Sequence, residues 1–313
     1  MRKALIVGIN NYHSSPLSGC INDAESIANI LEHNGDNSIN FNIKKEINIE
    51  TKGKLKGLIR DCFAGNEDIA LFYFSGHGFV DAIGGYIVTP DYSKDDWGVS
   101  MQEILEIVNQ SKCNNKIVIL DCCHSGFMGN ISTLGQTTAV IQEGVTILTA
   151  STHDAPAVEI KGHGVFTALL LDALRGGASD VTGRITPGGI YAYIDRALGP
   201  WEQRPVFKTN ITRFSPLRIV KPQIDISVLR KIINYFDEPC NEYKLDPSYE
   251  FTNTSHAIAE NVSILKDLQK LESIGLVVPN GEEHMYFAAI NSKSCKLTVI
   301  GQHYWQLVKN KIL

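Results

Sequence analysis

The stretch VILDCCHSGF, residues 118–127, ends an apolar run with a cluster of reactive side chains. Residues 118–120 are aliphatic and mostly β-branched, which predicts a buried strand. The strand pattern stops at Asp121, and two cysteines, a histidine, a serine and a glycine follow at once. A strand that carries such groups at its tip indicates a chemical site at that end.

The composition bounds the class of protein. A chain of 313 residues can hold one large core or two domains, and we expect two. The net charge of −5 argues against a general polyanion-binding protein. No apolar run approaches the length of a membrane span, and the apolar stretch near the N-terminus lacks the features of a signal peptide. Seven unevenly spaced cysteines suggest reduced thiols, so we expect a cytoplasmic protein with no membrane partner.

Short apolar runs alternate with helix-like patterns over the first two thirds of the chain. The apolar runs span residues 4–9, 69–74, 116–120 and 145–149. Helix patterns cover residues 22–33, 164–175 and 187–198, and another begins at residue 100. Asn22 with Glu25, and Ser100 with Glu103, are candidate capping pairs. The repeated strand-then-helix order predicts an α/β fold whose mainly parallel sheet is covered on both faces.

A second predicted strand ends in polar residues as the first one does. Residues 69–74 lead directly into Ser75-Gly-His-Gly78. In parallel sheets the chemistry gathers outside the carboxyl ends of the strands. We therefore expect this segment and residues 121–126 to meet at one edge of the sheet.

Strand alternation predicts which of these side chains face the same way. Ser75 and His77 should share one face, and Asp121 should share a face with Cys123 that Cys122 does not. Cys123 is therefore the candidate exposed thiol and Cys122 a core residue. A thiolate attacks a peptide carbonyl when an imidazole handles the proton and backbone N–H groups stabilise the oxyanion.

Three motifs in this order resemble those of the metacaspases and their bacterial relatives, the orthocaspases, which are caspase-like cysteine peptidases. The motifs are LSGCINDA at residues 17–24, YFSGHG at 73–78 and DCCHSG at 121–126. The separation of His77 and Cys123 also agrees with the spacing of about 50 residues known for caspases. The resemblance covers residues 1–220 and implies a caspase-like α/β/α sandwich. It also suggests a role in bacterial stress or phage-defence cell death.

The resemblance assigns roles to individual residues. It implies a catalytic dyad of His77 and Cys123, with an oxyanion site formed by the amides of Gly78 and Cys123. Metacaspase-like enzymes accept Arg or Lys before the scissile bond in an acidic pocket, whereas caspases accept Asp. The positions that match this S1 pocket are Cys20, Asp23, Ser75 and Asp121. Because two carboxylates can bind a guanidinium in bidentate fashion, we expect protein or peptide substrates with Arg, then Lys, at the cleavage site.

The catalytic candidates have alternatives in metal binding and in base assignment. Cys122, Cys123, His124 and His77 could bind zinc, but the chain has no Cys-x-x-Cys pair. His124 follows Cys123 directly and by alternation points away from it, so a structural role is expected for His124. His77 remains the expected base.

The pocket candidates also have structural interpretations. Asp23 could simply favour a helix N-terminus, and Asp121 could cap a turn. Cys20 could be an ordinary core residue. His163, in the segment GHGV, is expected to be a loop residue.

No cofactor is required for this chemistry, but many metacaspases are activated by Ca²⁺ through an acidic loop after the histidine strand. Here Asp91, Asp95 and Asp96 lie in the segment PDYSKDDW. One Ca²⁺ ion binds about six to eight oxygen ligands, and this segment fits no EF-hand spacing. A solvated turn is therefore the alternative to a calcium site.

The chain changes character after residue 222, which predicts a second domain over residues 223–313. Helix patterns at 226–235 and 263–274 precede strand candidates at 285–290 and 296–299 and a last helix at 301–309. This order resembles a small α+β winged-helix domain. Such domains often bind DNA, but nine Lys and Arg stand against eleven Asp and Glu from residue 222 onward, which argues against nucleic acid. We therefore expect a docking module for a regulatory protein partner, or an autoinhibitory domain.

Two functions of different class remain open from the sequence. The first is a cysteine endopeptidase that is regulated by its C-terminal domain. The second is a non-catalytic adaptor or scaffold that retains the fold, or a DNA-linked regulator that acts through the C-terminal domain. The complete dyad and the acidic pocket favour the peptidase.

The sequence makes a prediction about self-processing. No Lys or Arg occurs between Ile117 and Ile160, so an enzyme specific for basic residues cannot cut itself there. Intact-mass analysis of active protein should find a single chain, or a cut at Lys161, Arg175 or Arg184. A self-made cut within residues 127–144 would contradict this expectation.

Overall fold

The computed structural model describes residues 1–81, 84–94, 96–122, 131–133, 136–138, 141–150, 159–160, 162–198 and 204–313. The chain divides into two compact units, Met1–Lys221 and Pro222–Leu313. Within the ranges just given, no helix is both long enough and apolar enough to cross a bilayer.

The first unit is built from alternating strands and helices. Its strands are β1 Arg2–Gly8, β2 Asn42–Ile47, β3 Ile69–Ser75, β4 Gly78–Val80, β5 Gly85–Ser93, β6 Asp96–Ser100, β7 Asn115–Asp121, β8 Ile131–Thr133, β9 Gln136–Thr138, β10 Val145–Thr149, β11 Glu159–Ile160, β12 His163–Gly164, β13 Arg184–Ile185, β14 Val206–Asn210 and β15 Arg218–Ile219. Its helices are α1 Cys20–Glu32, α2 Lys52–Phe63, α3 Met101–Gln110, α4 Val165–Asp172, which continues into the π-helical turn Ala173–Gly177, and α5 Pro187–Leu198.

The central sheet has six strands in the order β14-β10-β7-β3-β1-β2. All neighbouring pairs are parallel except β10 with β14. This confirms the expected mainly parallel sheet. The sequence did not predict β2 or α2. β2 is a largely exposed edge strand, and α2 carries two glycines, which have low helix propensity.

Helices cover both faces of the sheet, as expected from the strand-helix order. One buried cluster joins the sheet to α2 and α3, and it includes Phe72, Phe74 and Leu120. A second cluster joins the other face to α1, α4 and α5, and it includes Tyr73 and Ile119. Alternating residues of each strand therefore enter opposite layers.

The start of α1 differs from its predicted capping. The helix begins at Cys20, and its N-cap residue Gly19 has no capping side chain. Asn10 supplies the acceptor instead, because its Oδ1 receives hydrogen bonds from the backbone N–H of Cys20 at 3.0 Å and of Ile21 at 3.3 Å. The predicted pair of Asn22 and Glu25 is therefore wrong. The Ser100 and Glu103 capping box at α3 is confirmed.

The second unit contains helices and a small antiparallel sheet. Its elements are α6 Ile226–Arg230, α7 Ile232–Tyr235, β16 Glu242–Lys244, the 3₁₀ turn Pro247–Tyr249, α8 Ala259–Ser273, β17 Val277–Asn280, α9 Met285–Ile290, β18 Ser294–Leu297 and α10 Val299–Lys309. The sheet order is β16-β18-β17. The buried carboxylate of Asp267 on α8 accepts hydrogen bonds from Lys231 Nζ at 2.7 Å and Tyr235 Oη at 2.9 Å.

One strand prediction in this unit was wrong, because residues 285–290 form helix α9. The strand expected at 296–299 is present as β18, two residues earlier at Ser294–Leu297. In α9 the buried residues are Met285, Ala288 and Ala289, which have the i, i+3, i+4 spacing of a helix. A short apolar run fits a strand or a helix equally well until its buried face is known.

A close contact between β1 and α1 yields a stability prediction. A Cβ atom at Gly8 would lie only 2.3 Å from the Cys20 carbonyl oxygen, whereas one at Gly57 in α2 would have nothing within 4 Å. Gly8→Ala should therefore lower the free energy of unfolding by about 1–3 kcal/mol. The matched control Gly57→Ala should raise it by about 0.5–1 kcal/mol. Denaturant titration of both variants measures the difference, and equal effects would contradict this account of the contact.

Candidate active site

The pairing of β3 with β7 aligns the two polar segments found in the sequence. The strands are parallel neighbours, and Ser75 stands opposite Asp121 in their register. His77 therefore lies two residues beyond the end of β3. Cys123 would lie two residues beyond Asp121, but it falls outside the described residues, as does His124.

The imidazole of His77 is held between two groups from the loop after β1. Its Nε2 lies 2.7 Å from the carbonyl oxygen of Ser15. Its ring meets the ring of Tyr12 edge to face, with centroids 4.6 Å apart. Because a carbonyl only accepts hydrogen bonds, Nε2 carries the proton in this contact. In a neutral imidazole this leaves the lone pair on Nδ1, which is the atom able to accept a proton.

Tyr12 also fixes the backbone around His77. Its hydroxyl accepts a hydrogen bond from His77 N at 3.1 Å and donates to the carbonyl of Val88 at 3.2 Å. Burial raises the pKa of the Tyr12 phenol far above its usual value, so the hydroxyl keeps its proton. A Cβ at Gly76 would lie 2.6 Å from this hydroxyl, so the chain passes close to Tyr12 here. The alternation expected between Ser75 and His77 does not apply, because β3 ends at Ser75 and His77 packs on Tyr12.

Asp23 and Ser75, two of the pocket candidates, are in direct contact. Ser75 Oγ donates to Asp23 Oδ2 at 3.1 Å, and both residues are buried. Asp23 Oδ1 lies 2.7 Å from His163 Nδ1. Burial raises the pKa of Asp23, while hydrogen bonds from His163, Ser75 and the backbone of Gly164 oppose that rise. The carboxylate is thus surrounded by donors at the N-terminal turn of α1.

Asp121 belongs to a second buried hydrogen-bonded chain. Thr167 Oγ1 donates to Asp121 Oδ2 at 2.5 Å, and the Tyr73 hydroxyl lies 2.6 Å from the same Thr167 oxygen. Because the Thr167 proton goes to the carboxylate, Tyr73 donates to Thr167. Asp121 keeps some exposed surface, but its carboxyl group is enclosed. Burial raises its pKa to about 7, the nearby charge of Asp23 adds to the rise, and the Thr167 hydrogen bonds oppose it.

Two of the cysteine candidates, Cys20 and Cys122, lie within the described residues. Cys20 is partly buried at the first position of α1, close to Gly8 at the end of β1. Cys122 is buried in the layer that contains α2 and α3, as alternation predicts. Asp121 faces the opposite layer through Thr167. The zinc hypothesis depends on Cys123 and His124, which are not described.

The acidic segment after the histidine strand is tied to the start of α2. The carboxylate of Asp91 accepts the backbone N–H of Lys52 at 3.1 Å, and Asp96 pairs with Lys52 Nζ at 2.8 Å. Asp95 lies outside the described residues. In the part of the chain that the structure describes, no three His, Cys, Asp or Glu side chains gather as a metal-binding group. Activation by Ca²⁺ stays a prediction.

Three residues of the site were missed in the sequence or given another role. His163 lies in β12 beside Asp23, not in a loop, and the contact spans 140 residues of sequence. Thr167 on α4 gave no local signal either, because its partner Asp121 lies 46 residues earlier. Tyr12 gave no local signal, because its partner His77 is 65 residues away.

Comparison with known proteins identifies similarities over the first unit. Residues 1–213 match the family model described as the caspase domain. The crystal structure of protein GSU0716 from Geobacter sulfurreducens is similar with a TM-score of 0.51 and 17% identity, covering 70% of this chain and 99% of that one. Caspase-1 from Spodoptera frugiperda gives a TM-score of 0.49 and 12% identity, covering 70% and 90%. No curated protein matches the chain by sequence.

The raised pKa of Asp121 predicts a pH-dependent stability. Its usual value is 3.8, so between about pH 4 and pH 7 the folded protein keeps a proton that the unfolded chain releases. The contribution of this group is fully present below pH 4 and is lost as the pH rises through 7. Relative to Asp121→Asn, the wild-type protein should therefore lose stability between pH 5 and pH 8.

Denaturant titrations at the two pH values measure this difference. The exposed Asp61→Asn variant on α2 is the matched control, and it should keep the wild-type pH dependence. If Asp121→Asn showed the same pH dependence as the wild type, the proton would not reside on Asp121.

Proposed function

Because the chain belongs to the caspase-domain family of cysteine peptidases, we propose that it is an endopeptidase with a catalytic dyad of His77 and Cys123. The observation that carries the proposal is the register of β3 and β7, which sets Ser75 opposite Asp121. Neighbouring strands lie about 4.8 Å apart. The chain segments that leave them therefore start side by side, and each brings one member of the dyad two residues later.

The contacts of His77 support its role as the base. With the Nε2 proton held by Ser15, Nδ1 is the nitrogen that would take the proton from the Cys123 thiol. The thiolate would then attack the carbonyl carbon of the substrate. The same Nδ1 proton would pass to the leaving amine when the peptide bond breaks, and water would release the acyl group. We assign the oxyanion to the amides of Gly78 and Cys123.

The electrostatics of the pocket candidates favour a cationic substrate side chain. The buried carboxyls of Asp23 and Asp121 are close enough for the charge of one to raise the pKa of the other. A guanidinium that entered between them would supply the missing positive charge and could bind in bidentate fashion. An aspartate would bring a third negative charge. We therefore propose cleavage after Arg, then Lys, with Cys20 and Ser75 completing the pocket.

The chemistry proposed here requires no cofactor. A Ca²⁺ ion bound by Asp91, Asp95 and Asp96 would compete with two contacts of Lys52 at the start of α2. One is the ion pair of Lys52 Nζ with Asp96, and the other is the hydrogen bond of the Lys52 backbone N–H to Asp91. The lysine already balances part of the acidic charge, which supports the solvated-turn interpretation. Calcium activation is thus a separate hypothesis from the peptidase proposal.

For the C-terminal unit we propose recognition of a regulatory protein partner in the cytoplasm. Its combination of helices with a three-stranded antiparallel sheet, ordered β16-β18-β17, supports the small α+β class of the winged-helix interpretation. Exposed apolar side chains, among them Phe251, Phe287 and Val299, suit a protein surface better than a nucleic-acid backbone. The acidic balance of the unit points the same way.

A peptide panel tests the peptidase proposal. Fluorogenic peptides that differ only in having Arg, Lys or Asp before the scissile bond should be cleaved in the order Arg, Lys, with Asp far behind. Cys123→Ala should lower turnover by about a thousandfold or more. Asp23→Asn should lower kcat/KM for the Arg peptide by about ten- to a hundredfold, because it removes a charged partner.

Asp61→Asn, on the exposed side of α2, is the control and should leave all rates unchanged. Preferred cleavage after Asp would overturn the pocket assignment. Equal and negligible turnover by the wild type and Cys123→Ala, with every activator tried, would favour the adaptor function instead.

A further inference from the structure

The Asp23 carboxylate is already occupied by a side chain of the protein itself. His163 Nδ1 lies 2.7 Å from Asp23 Oδ1, a distance typical of a charge-assisted hydrogen bond. Ser75 Oγ donates a hydrogen bond to the other oxygen, Oδ2, and the backbone of Gly164 also donates to the carboxylate. Asp23 is only 3% exposed. A substrate cation can reach this carboxylate only if one of these donors leaves.

His163 is the donor that can leave at least cost. The Ser75 hydroxyl is buried in β3, with Ser75 only 2% exposed, so it cannot turn into solvent, and the Gly164 donor is backbone and cannot withdraw without moving main chain. His163 belongs to the two-residue strand β12, and its side chain is 16% exposed. The turn before it contains Gly162 at φ +79°. Asn22 Nδ2 donates a hydrogen bond to the Gly162 carbonyl at 2.8 Å. A rotation of the imidazole toward solvent would uncover Asp23.

The same short strand also lies against the second pocket acid. A Cβ atom at Gly164 would be 3.3 Å from Asp121 Oδ2, so the backbone of β12 passes directly beside that carboxylate. The His163 side chain thus covers Asp23, and the main chain of the next residue, Gly164, covers Asp121. His163 is the member of this pair that resembles a substrate, because it offers an N–H donor that becomes cationic on protonation.

We propose that His163 is an internal competitor for the basic side chain of the substrate, and that it must leave Asp23 before Arg or Lys can bind. The inference rests on the proposed function, because it takes Asp23 as part of the substrate pocket. The free energy needed to move His163 away from Asp23 is the same whether Arg or Lys then binds. His163 therefore sets how strongly the pocket binds, whereas the two carboxylates set the preference of Arg over Lys.

The kinetic test compares the wild type with His163→Ala on peptides that carry Arg or Lys before the scissile bond. Loss of the competitor should lower KM about tenfold for both peptides, with kcat and the Arg-to-Lys ratio unchanged. His163→Gln keeps a neutral donor and should give a smaller decrease in KM. His33→Ala, the same change at a partly exposed position after α1, is the control and should behave as the wild type.

Other outcomes overturn the proposal. A rise in KM or a fall in kcat for a folded His163→Ala would show that His163 positions Asp23. A changed Arg-to-Lys ratio would show that His163 contacts the substrate. If His163→Ala does not fold, the same criteria apply to His163→Gln.

A binding experiment separates this proposal from the peptidase proposal. Calorimetry measures the affinity of Nα-acetyl-arginine amide for Cys123→Ala and for Cys123→Ala combined with His163→Ala. Tighter binding to the double variant supports the competitor even if no cleavage is found. Equal binding, or none to either protein, overturns it, while Cys123-dependent cleavage after Arg would still support the peptidase.

Discussion

The parallel pairing of β3 with β7 is the constraint on which the rest of the site depends. The two strands run in register from Ile69 opposite Asn115 to Ser75 opposite Asp121, and both are covered by helices on each face. Buried backbone groups in such strands must keep their ladder hydrogen bonds, so one strand cannot slide past the other without large cost. The strand ends Ser75 and Asp121, from which the two polar segments leave, therefore lie side by side at one edge of the sheet.

A second constraint is electrostatic. Asp23 and Asp121 come from different elements, α1 and β7, yet each is enclosed near the other. Two buried carboxylates without a cation are costly unless donors surround them or a proton neutralises one. Ser75, His163 and Thr167 provide such donors in this structure. The two carboxylates are thus stabilised by donors of the protein itself, and in the proposed pocket a bound cation would stabilise them further, which links the fold to the proposed specificity.

The sequence predicted the parts of the fold that local patterns determine. Uniformly apolar runs marked the central strands, and the polar residues after β3 and β7 marked the edge where the site lies. The Ser100 capping box is local, and it was predicted correctly. The cap of α1 was not, because its acceptor Asn10 precedes the helix by ten residues and reaches it through the folded loop. Helix α9 was mistaken for a strand because six residues are too few to show a period.

Long-range contacts account for what could not be predicted in the site. Asp23 could be assigned only by its motif, and nothing near it in sequence indicated His163, its partner 140 residues away. Likewise, Thr167 reaches Asp121 across 46 residues, and the largely apolar sequence of α4 gives no reason for a hydroxyl to point at the sheet edge. Such contacts depend on which helix packs over which strand end, and residue periodicity does not encode that.

The proposed peptidase requires the imidazole of His77 and the thiol of Cys123 to be neighbours. The rate of alkylation of Cys123 by iodoacetamide, followed by mass spectrometry of the peptide that contains it, measures this most directly. In the wild type the rate should reach its plateau at a pH well below the usual thiol pKa of about 8.5, because a protonated imidazole stabilises the thiolate. In His77→Ala the inflection should move up to that value. Identical pH profiles in the two proteins would contradict the account.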